Sequence, residues 1–328
     1  MSWLFQKTGI INHYNPKAHY GSQPIRVIHN MLIYMFQNTN AGFSEEMLEQ
    51  ISLGKMDKEI QIIVGNDPIT IEPGKLRTPK INLAAKKIEI HETFLSFLWG
   101  SVYSVFTNYC EKIDFPAVNK ANKTIVHELN EENVKLADAV FDYAKYLIID
   151  FEPWNKDELP NPEVYPANNR MFVGRTNIFY TEAMKFILCH EFTHLKFHVG
   201  QINSETTDSH YLIFEVEADN YAIALMKKGM FQMNYLAVEC GIIFGILSMF
   251  FFSAKTTGIK HPNFEDRLTN ALERLDLVNN VHAWGIACMG LKKWDNMFGL
   301  DLSWSDEPVS YKQEYYLILK QIKAQQSK

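Results

Sequence analysis

Cysteine is scarce in this chain. Cys110, Cys189, Cys240 and Cys288 stand far apart in 328 residues, with no C-x-x-C pair, which argues against a disulfide framework. Cys189 and Cys240 lie in apolar runs and read as core residues. No long basic run occurs and the net charge is −6, so a nucleic-acid-binding surface is not indicated. The N-terminus, Met1 to Lys7, has no extended apolar stretch, so no signal peptide is visible and a reducing cytoplasm is the expected setting. Internal repeats and low-complexity segments are missing as well. The most apolar stretch, Phe231 to Ala254, contains an uncharged run from Cys240 to Ala254 that is bounded by Glu239 and Lys255. A bilayer-spanning helix wants about 20 residues. A buried core helix is the favoured reading, with membrane association, peripheral at the inner membrane or through residues 236–254, kept as the alternative.

What is present describes a globular chain. Hydrophobic residues make up 47% and charged ones 21%, enough to bury a full core in one large domain or two small ones. Residues 25–53 read as helical, with Ile28, Leu32, Met35 and Phe36 on the apolar side. Glu59 to Val64 and Ile69 to Ile71 read as a strand pair around Gly65-Asn66-Asp67-Pro68, and Lys87 to Ile90 as another short strand. Residues 92–112 and 131–149 read as helices. A proline-rich acidic stretch, Phe151 to Pro166, reads as an exposed loop and as the boundary between residues 1–150, an α/β region of unassigned role, and residues 151–328. Arg170 to Gly174 and Asn177 to Tyr180 suggest a short hairpin or irregular strand, either an edge that could pair with an extended peptide or a core strand. A helix through Leu268, Leu272 and Leu275 follows a loop ending at Pro262, and Tyr311 to Ala324 closes the chain as an amphipathic helix. The expected fold class is α+β, predominantly helical, with a small N-terminal β element.

The chemistry concentrates in Cys189-His190-Glu191-Phe192-Thr193-His194-Leu195, an H-E-x-x-H sequence inside an apolar, helix-compatible run. Residues four apart share a helical face, so His190 and His194 can point both imidazoles at one ion. Glu191 can then reach a water on that ion without binding the metal. This is the working part of a zinc peptidase. The bland alternative is an ordinary half-buried helix carrying two histidines.

A tetrahedral catalytic zinc needs three protein ligands and one open position. The metzincin continuation H-x-x-G-x-x-H is excluded, because Phe197 stands where the glycine should be and Gly200 where the third histidine should be. His198 lies eight residues beyond His190, roughly 12 Å along a regular helix, and reads as a surface or second-layer histidine. The better third ligand is in Phe214-Glu215-Val216-Glu217-Ala218-Asp219, an E-x-x-A-D sequence. Glu215 and Asp219 share a face, and Ala218 and Ala222 let that helix approach the first. Glu215 is the expected third ligand. Asp219 is expected to accept the spare N–H of a zinc-bound histidine. Glu217 points away and reads as solvent-facing.

In this order, with His261-Pro262-Asn263-Phe264-Glu265-Asp266-Arg267-Leu268 following, the chain resembles gluzincin-type metallopeptidases. In size, and in the apolar helix between the second and third motifs, it is similar to the Lit-like phage-exclusion peptidases over roughly residues 180–270. The resemblance implies a zincin-like catalytic region in residues 151–328, with His190, His194 and Glu215 on Zn2+ and Glu191 as base. It also implies a bacterial defence protease. Peptidases of that kind cut elongation factor Tu, in its nucleotide-binding domain, when a phage capsid peptide is bound to it. No motif here identifies the substrate. Two rivals remain, a membrane-associated gluzincin protease and a non-enzymatic zinc-binding sensor. Intact Glu191 argues against the second, since a structural site needs no base. His261 and Tyr221 are the candidate donors to a developing oxyanion.

Overall fold

The computed structural model describes residues 5–6, 23–63, 78–122, 127–164, 166–277 and 281–326. The chain is predominantly helical with one small sheet. Four strands, β1 (Phe5–Gln6), β2 (Glu59–Ile63), β3 (Lys80–Asn82) and β4 (Lys87–His91), lie in the order β1-β2-β4-β3. Ile60 and Ile62 of β2 and Ile88 and Ile90 of β4 are buried and alternate with half-covered neighbours, the period of a sheet with one face on a core. β2 pairs with β4 in parallel, and β3 folds back antiparallel onto β4. The expected partner strand, Ile69 to Ile71, lies outside the described residues.

Two helices occupy the region read as one. α1 (His29–Gln37) and α2 (Phe43–Ser52) are separated by a turn that ends at Gly42, whose φ of +93° favours glycine. Beyond the sheet, α3 (Glu92–Tyr109) is buried along its whole length, as befits a central helix that is covered all round. The Nδ1 of His91 caps it by accepting from Thr93 N–H at 3.1 Å. A single π-turn, Cys110–Asp114, leads into α4 (Phe115–Asn122). α5 (Glu131–Ile149) follows, capped by the Asn130 side chain, and packs along α3.

The segment read as a hairpin is helical. α6 (Arg170–Thr193) runs unbroken from Arg170 into the H-E-x-x-H sequence. Phe172, Val173, Thr176, Asn177, Tyr180 and Ala183 are buried, a spacing of three and four that a strand would not show. Val173, Thr176, Ile178 and the aromatics carry β propensity, but packing against α3 and α8 overrides it. No edge strand for substrate exists at residues 170–180.

α7 (Asp208–Lys228) and α8 (Tyr235–Phe250) complete the surroundings of α6. α8 holds the most apolar run of the chain and is buried against α3, α6 and α10 (Val281–Phe298). Among the described residues no helix is long and apolar enough to cross a membrane. α9 (Phe264–Arg274) packs on α7 and α8, and α11 (Tyr311–Gln326) on α10. One continuous set of buried apolar residues extends from Ile25 to Ile322.

The α6–α8 contact is close because Gly241 has no side chain: a Cβ there would stand 2.3 Å from Glu182 Cβ. Gly241→Ala is therefore expected to destabilise the protein by about 1–3 kcal/mol through overpacking. Helix propensity alone would stabilise it by up to about 1 kcal/mol. Urea denaturation gives the sign, and a more stable alanine variant would contradict the contact.

Candidate metal centre

The last turn of α6 carries His190, Glu191 and His194, then widens into a π-turn, His194–His198. Such turns often occur at functional sites. α7 packs beside it and presents Glu215 and Asp219 on one face, one helical turn apart. α9 contributes Arg267, and the loop before it contributes His261. Asn270 of α9 donates to Asn220 of α7 at 2.9 Å and ties these two helices together.

Three side chains converge. His190 Nε2 lies 3.0 Å from His194 Nε2. Glu215 reaches both with different oxygens, Oε2 at 3.4 Å from His190 Nε2 and Oε1 at 3.3 Å from His194 Nε2. All three ligand atoms lie within 4.8 Å of one another, and His190, His194 and Glu215 are the one such set among the described residues. His190 Nδ1–H donates to Asp219 Oδ1 at 2.9 Å, so Nε2 is the atom that would face an ion. Arg267 grips Asp219 with two hydrogen bonds, Nε to Oδ2 and Nη2 to Oδ1, both 2.7 Å. Its Nη1 stands 3.7 Å from Glu215 Oε2.

These residues fit a zinc ion. Around a tetrahedral zinc with bonds of about 2.0–2.1 Å, neighbouring donors stand about 3.3–3.4 Å apart. The two nitrogen–oxygen separations match that, and the nitrogen–nitrogen one is slightly shorter. Two imidazole nitrogens and a carboxylate facing one point are held together by protons or by a cation between them.

Without an ion the cluster is held together by protons, and a metal at His190 Nε2 would displace one of them. Burial disfavours charge at His190, but Glu215 and Asp219 outweigh it and raise its pKa to about 10. Burial lowers His194 to about 4, so this imidazole is neutral and ready to ligate. Burial opposes ionisation of Glu215, yet the charge on His190 and hydrogen bonds from His190, His194 and His261 hold it far below the usual carboxylate range. Burial likewise opposes ionisation of Asp219, but Arg267 and His190 bring it to about 2. At Glu191 burial prevails and pushes the carboxyl up to about 7, against the pull of His190, Arg267 and His261. Glu191 directly follows His190 in the chain, at the end of α6.

The remaining sequence candidates divide. His261 belongs to the site: its ring is 58% exposed and its Nδ1 lies 3.1 Å from Glu215 Oε2. Tyr221 does not, since its hydroxyl donates to Glu46 and accepts from Lys196 at 3.0 Å. His198 is fully buried and in the second layer, not at the surface. Glu217 is mostly exposed, as expected, but also accepts from His198 Nε2–H at 3.1 Å. Arg267 had no assigned role in the sequence reading. Its only signal was its place in the motif that begins at His261-Pro262, which does not say what the guanidinium holds.

Asp219→Ala is expected to weaken metal affinity by about 10–100-fold without abolishing binding, because His190 loses the partner that fixes its tautomer. Competition with a calibrated chelator measures this, and an unchanged affinity would assign Asp219 another role.

No curated protein and no solved structure matches the chain. A family model does: the one described as Peptidase U49 matches residues 88–287. The matched stretch opens in β4, closes in α10 and takes in every residue placed at the centre above. With more than half of its length matched, the chain belongs to the peptidase U49 family and is a protease.

Proposed function

We propose that this protease is a zinc-dependent, gluzincin-type metalloendopeptidase with a zincin-like catalytic region, in which His190, His194 and Glu215 hold one Zn2+ and Glu191 is the general base. The observation that carries the reading is the convergence of two Nε2 atoms and one carboxylate at 3.0–3.4 Å. Held there by His190, His194 and Glu215, a zinc ion would supply Lewis acidity toward the scissile carbonyl and lower the pKa of a water toward neutrality.

The chain's own residues do the rest. Glu191 takes the proton of the attacking water and returns it to the leaving amine. Asp219, clamped by Arg267, keeps His190 in the Nδ1–H tautomer. His261, exposed at the rim and beside Glu215, is positioned to donate to the oxyanion as charge develops. All of these groups come from residues 151–328, and α3, which α6 packs against, comes from before residue 150.

The substrate is a protein. From the Lit-like resemblance we assign a cytoplasmic host protein, elongation factor Tu, with a phage-derived peptide as activator and phage exclusion as the outcome. The assay is a gel of the factor with enzyme, with and without phage-infected lysate, and with Glu191→Gln as the blank. A Glu191-dependent fragment in infected lysate alone is the expected result. Free digestion of casein with no such fragment would replace the defence reading by a general protease.

A further inference from the structure

The two histidines at the centre are held from behind by different partners. His190 leans on the carboxylate of Asp219, but no carboxylate touches His194 Nδ1. Its neighbour there is another imidazole, His198 Nδ1 at 2.8 Å. His198 stands four residues beyond His194, on the same side of the helix, and both rings are carried by the π-turn His194–His198.

Hydrogen-bond chemistry permits one arrangement of protons. If Nε2 of His194 faces an ion, its proton sits on Nδ1 and is donated to His198 Nδ1. His198 must then carry its own proton on Nε2, which it donates to Glu217 Oε2 at 3.1 Å. Every nitrogen has one role and none is left over. The His198 ring is 0% exposed and stacks on Phe214 with centroids 4.5 Å apart and planes 13° apart. Glu217 is the member that reaches solvent, with 59% of its side chain exposed.

We propose that His198 and Glu217 are positioning residues for the metal centre: the chain Glu217–His198–His194 fixes the tautomer and orientation of the second histidine ligand, as Asp219 does for the first. The inference rests on the zinc reading above. It assigns the eighth residue past His190 a task that the ligand set does not require. Without the chain, the His194 ring is free to turn and Nδ1–H loses its buried acceptor, so affinity for the ion falls.

The test uses the full chain loaded with zinc or cobalt(II). His198→Phe keeps the ring stacked on Phe214 but removes both nitrogens. His198→Asn restores an acceptor where Nδ1 was. We expect His198→Phe to lower zinc affinity by about 10–100-fold in chelator competition and to change the visible absorption of the cobalt form. His198→Asn should recover most of that affinity. Glu217→Ala should weaken binding several-fold in the wild-type background and add nothing to His198→Phe, because it acts through the ring.

Three results would overturn the inference: His198→Phe binding zinc within about two-fold of wild type, His198→Asn no better than His198→Phe, or Glu217→Ala costing the same in both backgrounds. The first would mark His198 as packing alone, the second would deny Nδ1 its role as the acceptor, and the third would mark Glu217 as a bulk charge. If the wild-type chain holds no divalent ion at all, the zinc reading itself fails, an outcome distinct from these. Melting temperatures of the variants, taken with chelator present, separate loss of folding from loss of the chain.

Discussion

Glu191→Gln is expected to fold, to keep its ion and to lose peptidase activity by about 10²–10⁴-fold, the range typical of general acid–base catalysis. Gln has nearly the same shape as Glu, so packing at the end of α6 should survive the change. The amide cannot take a proton from water or return one to the leaving amine. A thousand-fold loss corresponds to about 4 kcal/mol of barrier. Glu191 is also not one of the three converging ligand atoms, so metal content should be unchanged. The measurement is kcat/KM on a cleaved protein, paired with elemental analysis of the same preparation. Near-native turnover would remove Glu191 as the base. Loss of metal together with activity would make it a ligand instead.

Glu215→Ala should have the larger effect on binding. Glu215 is the one residue that approaches both imidazoles, at 3.3 and 3.4 Å, and it draws Arg267 and His261 toward the same point. Removing it leaves two neutral nitrogen donors next to a guanidinium, an unfavourable place for a cation. Affinity should fall by more than the about 10–100-fold expected for an outer partner such as Asp219. Glu217→Ala is the matched control, two residues away on the same helix, and at saturating zinc it should still hold one ion per chain. Equal metal content in the two variants would exclude Glu215 as the third ligand.

How much of this could be read from the sequence depended on whether a regular period carried it. His190 with His194, and Glu215 with Asp219, are four apart, and regular helices place such pairs on one face. That rule located the residues that meet, and the small residues Ala218 and Ala222, both fully buried, explain how α7 comes close. The same rule puts His198 on the face of His194, but spacing alone leaves open whether its ring is at the surface or, as found, buried behind His194. Arg267 was visible only as part of the motif that begins at His261-Pro262, and nothing in the sequence says that its guanidinium closes on Asp219. The hairpin assigned to residues 170–180 failed because local β propensity was weighed above the three-and-four spacing of Phe172, Val173, Thr176, Asn177 and Tyr180. α10 was not anticipated at all. Gly285 and Gly290 interrupt its pattern, yet they are where the helix meets the Tyr109 ring and Leu247.

The central claim is that the cluster at the end of α6 cuts proteins by means of a bound metal and Glu191. The most direct measurement is a catalogue of new protein termini after incubating the chain with a whole-cell lysate, with and without a chelator. The same reaction is run with Glu191→Gln and with zinc restored after chelation. The account predicts a small set of new termini that vanish with chelator, return with zinc and never appear with Glu191→Gln. Termini that persist undiminished in chelator, or that Glu191→Gln generates equally well, would contradict it.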